Sequence, residues 1–322
     1  MTGVASAVWA WPPRLLRRLI QIKPRGAARP EMAIERSLTM AFKDILFQLD
    51  SYPEPTPEAV IERGVWWARR LQATLTALAI DIQIPVHSNK VADYLIGLTD
   101  LARAEEAKSH RQGQDVLAMA AACALRAEVE FLTQTHRAHL YDVGDHVARM
   151  ARTRDLCIVP LGGRFDEQQG VVRTVVFGSG RPTLILGETA VAARTSGCAR
   201  VVVAWDGGAS AARALADSLP VLALAESVTV LTISGDKPGV DDRTGLDVVR
   251  HLRSHGITAQ AKALASDHGS AGTVIERYVQ QIDADLLVMG AYGHARLRDF
   301  VLGGATEHLL HTPPTALWMA HA

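Results

Sequence analysis

Glycines near the C-terminus form the pattern with the clearest chemical meaning in this chain. Gly290 and Gly293 are separated by two residues, and the pair Gly303-Gly304 begins after nine more. Glycine has no Cβ, so a ligand can approach the backbone N–H groups of such a segment closely. If a helix begins at the glycine pair, its first-turn amides and its dipole favour an anion such as phosphate. The spacing therefore predicts a phosphate cradle made of backbone donors.

The elements on either side of the glycines must position them. Residues 286–289 are an unbroken apolar run, which predicts a strand buried on both faces. Residues 305–310 have helical spacing and meet no breaker until Pro313. A tight strand-to-helix connection with no ligand would also use two glycines. The strand before and the helix after favour the ligand interpretation.

This arrangement resembles the ATP-binding signature of the universal stress protein family, including the Asp285-Leu-Leu-Val-Met289 run before the first glycine. The resemblance implies Rossmann-like open parallel sheets with strand order 3-2-1-4-5. It also implies ATP, or another adenine nucleotide, as cofactor, with Mg²⁺ as its companion ion.

The resemblance implies eight contact positions in the second half of the chain. On the purine and ribose side they are Asp206, Ile233, Met289 and Gly290, and on the phosphate side they are Gly293, Gly303, Gly304 and Ala305. Asp206 would meet the ribose and adenine, and the backbone of Ile233 would contact adenine. Two glycines follow Asp206, so it equally fits a turn and helix cap. Met289 and Ile233 equally fit plain core positions.

One position departs from the family pattern. Nucleotide binders of the family usually carry Ser or Thr after the third glycine, whereas this chain has Gly304 and its next hydroxyl at Thr306. A missing side-chain bond to phosphate costs about 1–2 kcal/mol. Backbone donors remain, so nucleotide binding is weakened and not excluded.

Composition and charge restrict the remaining classes of function. The chain has 322 residues, 48% of them hydrophobic, and its 34 basic and 34 acidic residues cancel. No global field therefore attracts nucleic acid or an anionic membrane. Cys123, Cys157 and Cys198 lack metal-binding spacing, which predicts no metal site and fits a reducing compartment. No apolar run reaches the roughly 18 residues of a membrane span, so a soluble cytoplasmic protein is expected.

The alternation of strand and helix signals occurs twice, which indicates a tandem duplication. We expect a basic leader outside the fold at 1–39, a first repeat at 40–187, a linker at 188–198 and a second repeat at 199–322. The leader also fits a targeting segment or a membrane-surface helix. Asp50 and Asp206 occupy equivalent places in the two repeats.

The predicted elements follow from hydrophobic periodicity. The predicted strands are 45–49, 78–84, 129–133, 156–160, 183–186, 201–204, 228–233, 257–264, 286–289 and 316–319. The predicted helices are 58–75, 92–127, 142–152, 211–224, 246–254, 271–281 and 305–310, with a kink at Pro220.

The first repeat is predicted to be a degenerate copy without nucleotide. Pro160 stands at its fourth strand end, where the second repeat has Gly290. Asp166 and Glu167 would repel phosphates. The segment 178–182, which leads into the last strand, is interpreted as a turn rather than a second phosphate cradle.

These patterns predict a stress-response protein that binds adenine nucleotide in its second repeat. The chain has no Walker loop, no Gly-x-Ser-x-Gly and no HExxH, which argues against a dedicated enzyme. The alternatives are a nucleotide-free pseudo-dimeric scaffold for a protein partner and a slow ATP hydrolase. The apolar strands 183–186 and 316–319 are predicted to pair within the chain, as in the family's dimers, and a homodimer is a further possibility.

Overall fold

The computed structural model describes residues 42–85, 97–162, 166–188, 198–235, 243–266, 270–291 and 304–322. These belong to one compact unit, Leu38–Ala322. The predictions about the leader, most of the linker, Gly293 and Gly303 lie outside the described residues.

The described strands form one ten-stranded sheet in the order β3-β2-β1-β4-β5-β10-β9-β6-β7-β8. The first half-sheet consists of β1 Asp44–Leu49, β2 Thr74–Gln83, β3 Phe131–His139, β4 Leu156–Leu161 and β5 Thr183–Gly187. The second half-sheet consists of β6 Arg200–Ala204, β7 Ser227–Ser234, β8 Ala259–Ala265, β9 Leu286–Gly290 and β10 Ala316–Ala320. Each half has the predicted order 3-2-1-4-5, and the predicted fold class is confirmed.

Helices cover both faces of the sheet. One face packs against α1 Glu58–Leu71, α2 Leu98–Arg126, α5 Ala209–Leu222 and α6 Thr244–Ser254. The other packs against α3 Val143–Ala151, α4 Asp166–Gly178, α7 Ala271–Gln281 and α8 Gly304–His311. Two apolar cores therefore lie on opposite sides of the sheet, which explains why most strands are apolar runs. Within the described part of the chain, no helix combines the length and apolarity needed to cross a membrane.

The two halves join through their last strands, as the sequence predicts. All pairs within each half are parallel, whereas β5 and β10 pair antiparallel, with Trp318 opposite Leu184. Trp318 is 0% exposed and packs edge-on against Phe42, with ring centroids 5.7 Å apart. The edges that could have paired with another chain are thus buried within this one.

One aspartate in each half ties the fourth strand to the first. Oδ2 of Asp155 accepts from the amides of Lys43 and Asp44. Oδ2 of Asp285 accepts from the amides of Ala199 and Arg200 at 2.9 and 2.8 Å. Asp285, the first residue of the run that resembles a ligand signature, therefore has a structural role at the amino edge of the sheet.

Several boundaries differ from the predicted ones. The helix predicted over 58–75 ends at Leu71, because Gln72 adopts a left-handed conformation with φ of 54° and its N–H bonds the carbonyls of Ala68 and Arg69. β2 consequently begins at Thr74, four residues before the prediction. β4 continues past Pro160, its predicted last residue, to Leu161, and Pro160 is in register with Leu186 of β5. α4 was not predicted at all, because its first turns are polar and interrupted by glycine.

Candidate functional site

The predicted purine and ribose positions converge at the carboxyl edge of the second half-sheet. Ala204, at the end of β6, is in register with Met289 of β9 and with Leu231 of β7. The connections from β6 to its two neighbours diverge here, which is where open parallel sheets bind ligands. The predicted positions at this edge are Asp206, Ile233, Met289 and Gly290.

Asp206 forms the turn that starts α5. Its Oδ1 accepts a hydrogen bond of 2.9 Å from the amide of Gly208, the residue that caps α5. Gly207 has φ of 74°, a conformation that favours glycine. The turn interpretation is therefore correct for this carboxylate, but the cap interpretation is not, because the N-cap of α5 is Gly208 and has no side-chain cap. The carboxylate remains only half-buried at the sheet edge.

Gly290 is required by packing as well as by the predicted ligand. A Cβ built on it would lie 2.4 Å from the amide nitrogen of Ala211 and 2.5 Å from the carbonyl carbon of Ser210. No side chain fits at such distances, so β9 can approach the first turn of α5 only with glycine here.

The side chains of Met289 and Ile233 belong to the core. They are 5% and 7% exposed and lie in the core on the α7 and α8 side of the sheet. Their backbones, and not their side chains, are therefore what they can offer a ligand at the sheet edge.

Gly304 and Ala305 are the first two residues of α8. Gly304 is exposed, and a Cβ placed on it meets nothing within 4 Å. Ala305 packs on Gly272 of α7, where an added Cβ would lie 3.0 Å from the Cα of Ala305. Thr306 is 3% exposed, so its hydroxyl lies in the interior and cannot replace the missing one at 304.

A comparison with protein families decides the identity of this half. The model of the universal stress protein family matches residues 198–321. The second half of the chain is a universal stress protein domain. No curated protein sequence matches the chain.

Solved structures match both halves together. A universal stress protein from Archaeoglobus fulgidus is 15% identical, with a TM-score of 0.63 over 86% of this chain and 96% of its own. A putative universal stress protein from Pseudomonas aeruginosa is 16% identical, with a TM-score of 0.53 over 88% and 95%. At this identity the matches establish that the first half-sheet shares the fold of the universal stress protein domain.

In the first half-sheet, the equivalent edge is closed by a glutamine from α4. Asp50 follows β1 as Asp206 follows β6, and its Oδ2 accepts from Gln168 Nε2 at 2.9 Å. Gln168 Oε1 accepts from the amide of Gly162 at 2.9 Å, so one side chain spans the crevice. The remaining cavity is about 40 Å³, against roughly 300–1,000 Å³ for ligand pockets. Gln168 was not among the predicted site residues, because the sequence pattern does not predict α4.

Asp50 also has an unusual protonation equilibrium. Burial raises its pKa to about 7, although the hydrogen bonds from Gln48 and Gln168 oppose the shift and Glu188 adds to it. Gln48 Nε2 donates to Oδ1 at 2.7 Å. The edge of the first half-sheet is thus lined by two acidic groups, whereas the universal stress protein domain has one acidic predicted contact, Asp206.

Two further clusters have structural explanations. His308 of α8 lies 2.5 Å from Oε2 of Glu276 on α7, which ties the two helices together. In the described part of the chain, one group could converge on a metal ion, namely Glu58, Glu62 and Cys123. Arg126 already donates to Cys123 Sγ at 3.2 Å and to Glu62 at 3.3 Å, so its guanidinium supplies the positive charge there.

The three cysteines are all buried. Burial raises the pKa of each thiol, to about 12 for Cys157 and Cys198. They are therefore protonated at neutral pH, a state that disfavours nucleophilic and metal-ligating roles.

Proposed function

We propose that this protein binds ATP, or another adenine nucleotide with Mg²⁺, at the carboxyl edge of its universal stress protein domain and acts in a stress response. The observation that carries the proposal is the convergence of β9, β6 and β7, whose register brings Asp206, Ile233 and Gly290 to one edge. This edge belongs to the half that has the glycine spacing.

The start of α8 supports a phosphate subsite. A helix leaves its first amides unpaired, and their partial positive charge favours an anion. Gly304 at this start is exposed and unobstructed. We assign it, with Ala305, Gly293 and Gly303, to the phosphates. The purine and ribose are assigned to Asp206 and to the backbones of Ile233, Met289 and Gly290.

We propose that the first half-sheet holds no nucleotide. Gln168 occupies the space between Asp50 and the amide of Gly162. Asp50 and Glu188 interact through their charges, which would also repel phosphates. This half then serves as the structural partner of the nucleotide-binding half.

We propose binding rather than catalysis. Phosphoryl transfer to water needs a group that positions the attacking water. Of the described candidates, Asp206 is held in the turn before α5 by the amide of Gly208, and His308 is paired with Glu276. We therefore expect phosphate release close to background.

The test is nucleotide extraction from the purified protein combined with thermal unfolding in ATP, ADP and AMP. A ligand at 100 times its Kd stabilises the fold by about 2.7 kcal/mol. The variant Gly304→Asp places a carboxylate at the start of α8, where the structure has room, and should abolish the shift in Tm. Gly170→Asp is the matched control, because Gly170 is equally unobstructed on α4 of the first half.

Two outcomes would overturn the proposal. One is the absence of both co-purified nucleotide and any Tm shift at millimolar nucleotide, which would favour the scaffold alternative. The other is a shift that Gly304→Asp leaves intact, which would place the nucleotide elsewhere.

A further inference from the structure

His321, the residue after the last strand, connects the two halves of the molecule. Its Nδ1 lies 3.1 Å from the carbonyl oxygen of Ala291, the residue that follows β9. Its ring packs edge-on against Phe177 of α4, with centroids 4.8 Å apart and an interplanar angle of 73°. Phe177 belongs to the first half of the chain, whereas Ala291 belongs to the universal stress protein domain. One side chain therefore contacts both.

Ala291 is the point at which the backbone leaves β9 toward the predicted phosphate loop. Its amide donates to the carbonyl of Ala320 at 2.8 Å, and the residue is fully buried. When Nδ1 of His321 carries a proton, it donates to the carbonyl oxygen of Ala291. The two bonds engage both backbone polar groups of Ala291, so the position of Ala291 depends on Ala320 and His321.

The corresponding residue in the first half differs in charge. Glu188 follows β5 as His321 follows β10, and its Oε1 would lie 3.0 Å from a Cβ added to Gly162. In each half, the residue after the last strand thus reaches the segment after the fourth strand. The residue after the last strand is thus a carboxylate, Glu188, in the first half and an N–H donor, His321, in the second. Of the two, only the uncharged or cationic imidazole is compatible with an anion bound nearby.

We infer that His321 is a positioning residue that couples α4 of the first half to nucleotide binding by the second. It fixes the backbone at Ala291, and Phe177 fixes the ring of His321. The first half would thereby tune the affinity of a site that it does not line. This inference rests on the proposed nucleotide binding, but the positioning itself can be measured without nucleotide.

The experiment measures two quantities on the full chain, the hydrogen exchange rate of the Ala291 amide and the Kd for ATP. His321→Ala removes both contacts, and Phe177→Ala removes only the contact from the first half. Both should accelerate exchange at Ala291, and both should weaken ATP binding by about threefold to tenfold, the range of an aromatic pair. The controls are Val171→Ala, elsewhere on α4, and His311→Ala, an exposed histidine that bonds Thr312.

Conservative variants separate positioning from general destabilisation. His321→Asn places an amide nitrogen near the position of Nδ1 and should restore slow exchange at Ala291. His321→Phe retains the ring contact without the donor and should not. A variant that merely loosened the fold would not distinguish these two replacements.

Unchanged exchange at Ala291 in His321→Ala, or equal acceleration in the two controls, would overturn the positioning role. Faster exchange with an unchanged Kd would overturn the coupling to nucleotide. If the wild-type chain binds no ATP, the proposed function fails, and the exchange rates alone decide whether His321 positions Ala291.

Discussion

At the scale of single residues, the proposed phosphate subsite depends most on Gly304. It lies at the first position of α8, exposed and with open space where a Cβ would be. The buried hydroxyl of Thr306 offers no substitute. The proposed site would thus hold phosphate through backbone N–H groups alone, and a substitution at 304 can add a side-chain donor.

The variant Gly304→Ser should therefore tighten nucleotide binding. One added hydrogen bond to a phosphate contributes about 1–2 kcal/mol, which lowers Kd by roughly 5- to 30-fold. Titration calorimetry with ATP measures this, with Gly170→Ser as the control. An unchanged Kd would mean that no phosphate lies at the start of α8.

Asp50 makes the stability of the fold depend on pH. Burial raises its folded-state pKa to about 7 from the ordinary value of 3.8. The stability that its protonated form provides is fully present below the unfolded pKa and is lost as pH rises through about 7. The loss is at most about 4 kcal/mol on the scale of 1.36 kcal/mol per pKa unit.

The side chain of Asp50→Asn cannot ionise. The free energy of unfolding of this variant, relative to that of the wild type, should therefore be larger at pH 8 than at pH 5. Urea unfolding at the two pH values measures the difference. The same stability difference between variant and wild type at pH 5 and at pH 8 would show that Asp50 keeps an ordinary pKa in the fold.

At the scale of elements, the approach of β9 to α5 fixes where the sheet edge and the helix start meet. Gly290 allows this approach because an added Cβ would lie 2.4 Å from the amide nitrogen of Ala211. The position therefore serves the fold even without ligand, and a large substitution there does not test nucleotide binding.

Gly290→Ala should destabilise the protein by about 1–3 kcal/mol, the usual cost of overpacking. Gly304→Ala is the control, because its Cβ is unobstructed and alanine favours a helix by up to about 1 kcal/mol over glycine. Urea unfolding measures both. Equal stability of Gly290→Ala and wild type would show that β9 and α5 can separate at no cost.

The sequence predicted the elements with strong patterns and missed those without them. The prediction of a helix at 271–281 coincides with α7, whose Ser270 accepts from the amide of Thr273 as a cap. β3 extends to His139, beyond its predicted end at 133. The prediction stopped short because β3 is an edge strand, and its polar, exposed residues give no apolar strand pattern. The role of Gln168 could not be predicted, because its contacts with Asp50 and Gly162 join residues that are distant in sequence. The packing role of Gly290 was missed for the same reason, because the residues it approaches, Ser210 and Ala211, are distant in sequence.

At the scale of the whole molecule, the antiparallel β5–β10 pair unites two half-sheets into one structure. Leu317 is opposite Ile185 and fully buried. Both apolar cores continue across this pair, because residues of β5 and β10 belong to each. The halves are therefore expected to unfold together.

Leu317→Lys should lower the Tm of both halves in a single transition, because a charge buried without a partner costs several kcal/mol. Leu132→Lys is the matched control on the edge strand β3, where the leucine is 53% exposed and a change within about 0.5 kcal/mol is expected. Scanning calorimetry of the two variants measures the number of unfolding transitions and the Tm of each. Separately expressed halves that are stable and do not associate would contradict the expected cooperativity.

The proposed function requires that this chain hold one adenine nucleotide, in its universal stress protein domain and not in the first half. Calorimetric titration of ATP into nucleotide-free protein with Mg²⁺ tests it most directly, because it yields the number of sites. One site per chain is predicted, lost in Gly304→Asp and retained in Gly170→Asp. Two sites, or one site that Gly170→Asp removes and Gly304→Asp leaves intact, would contradict it, as would the absence of binding.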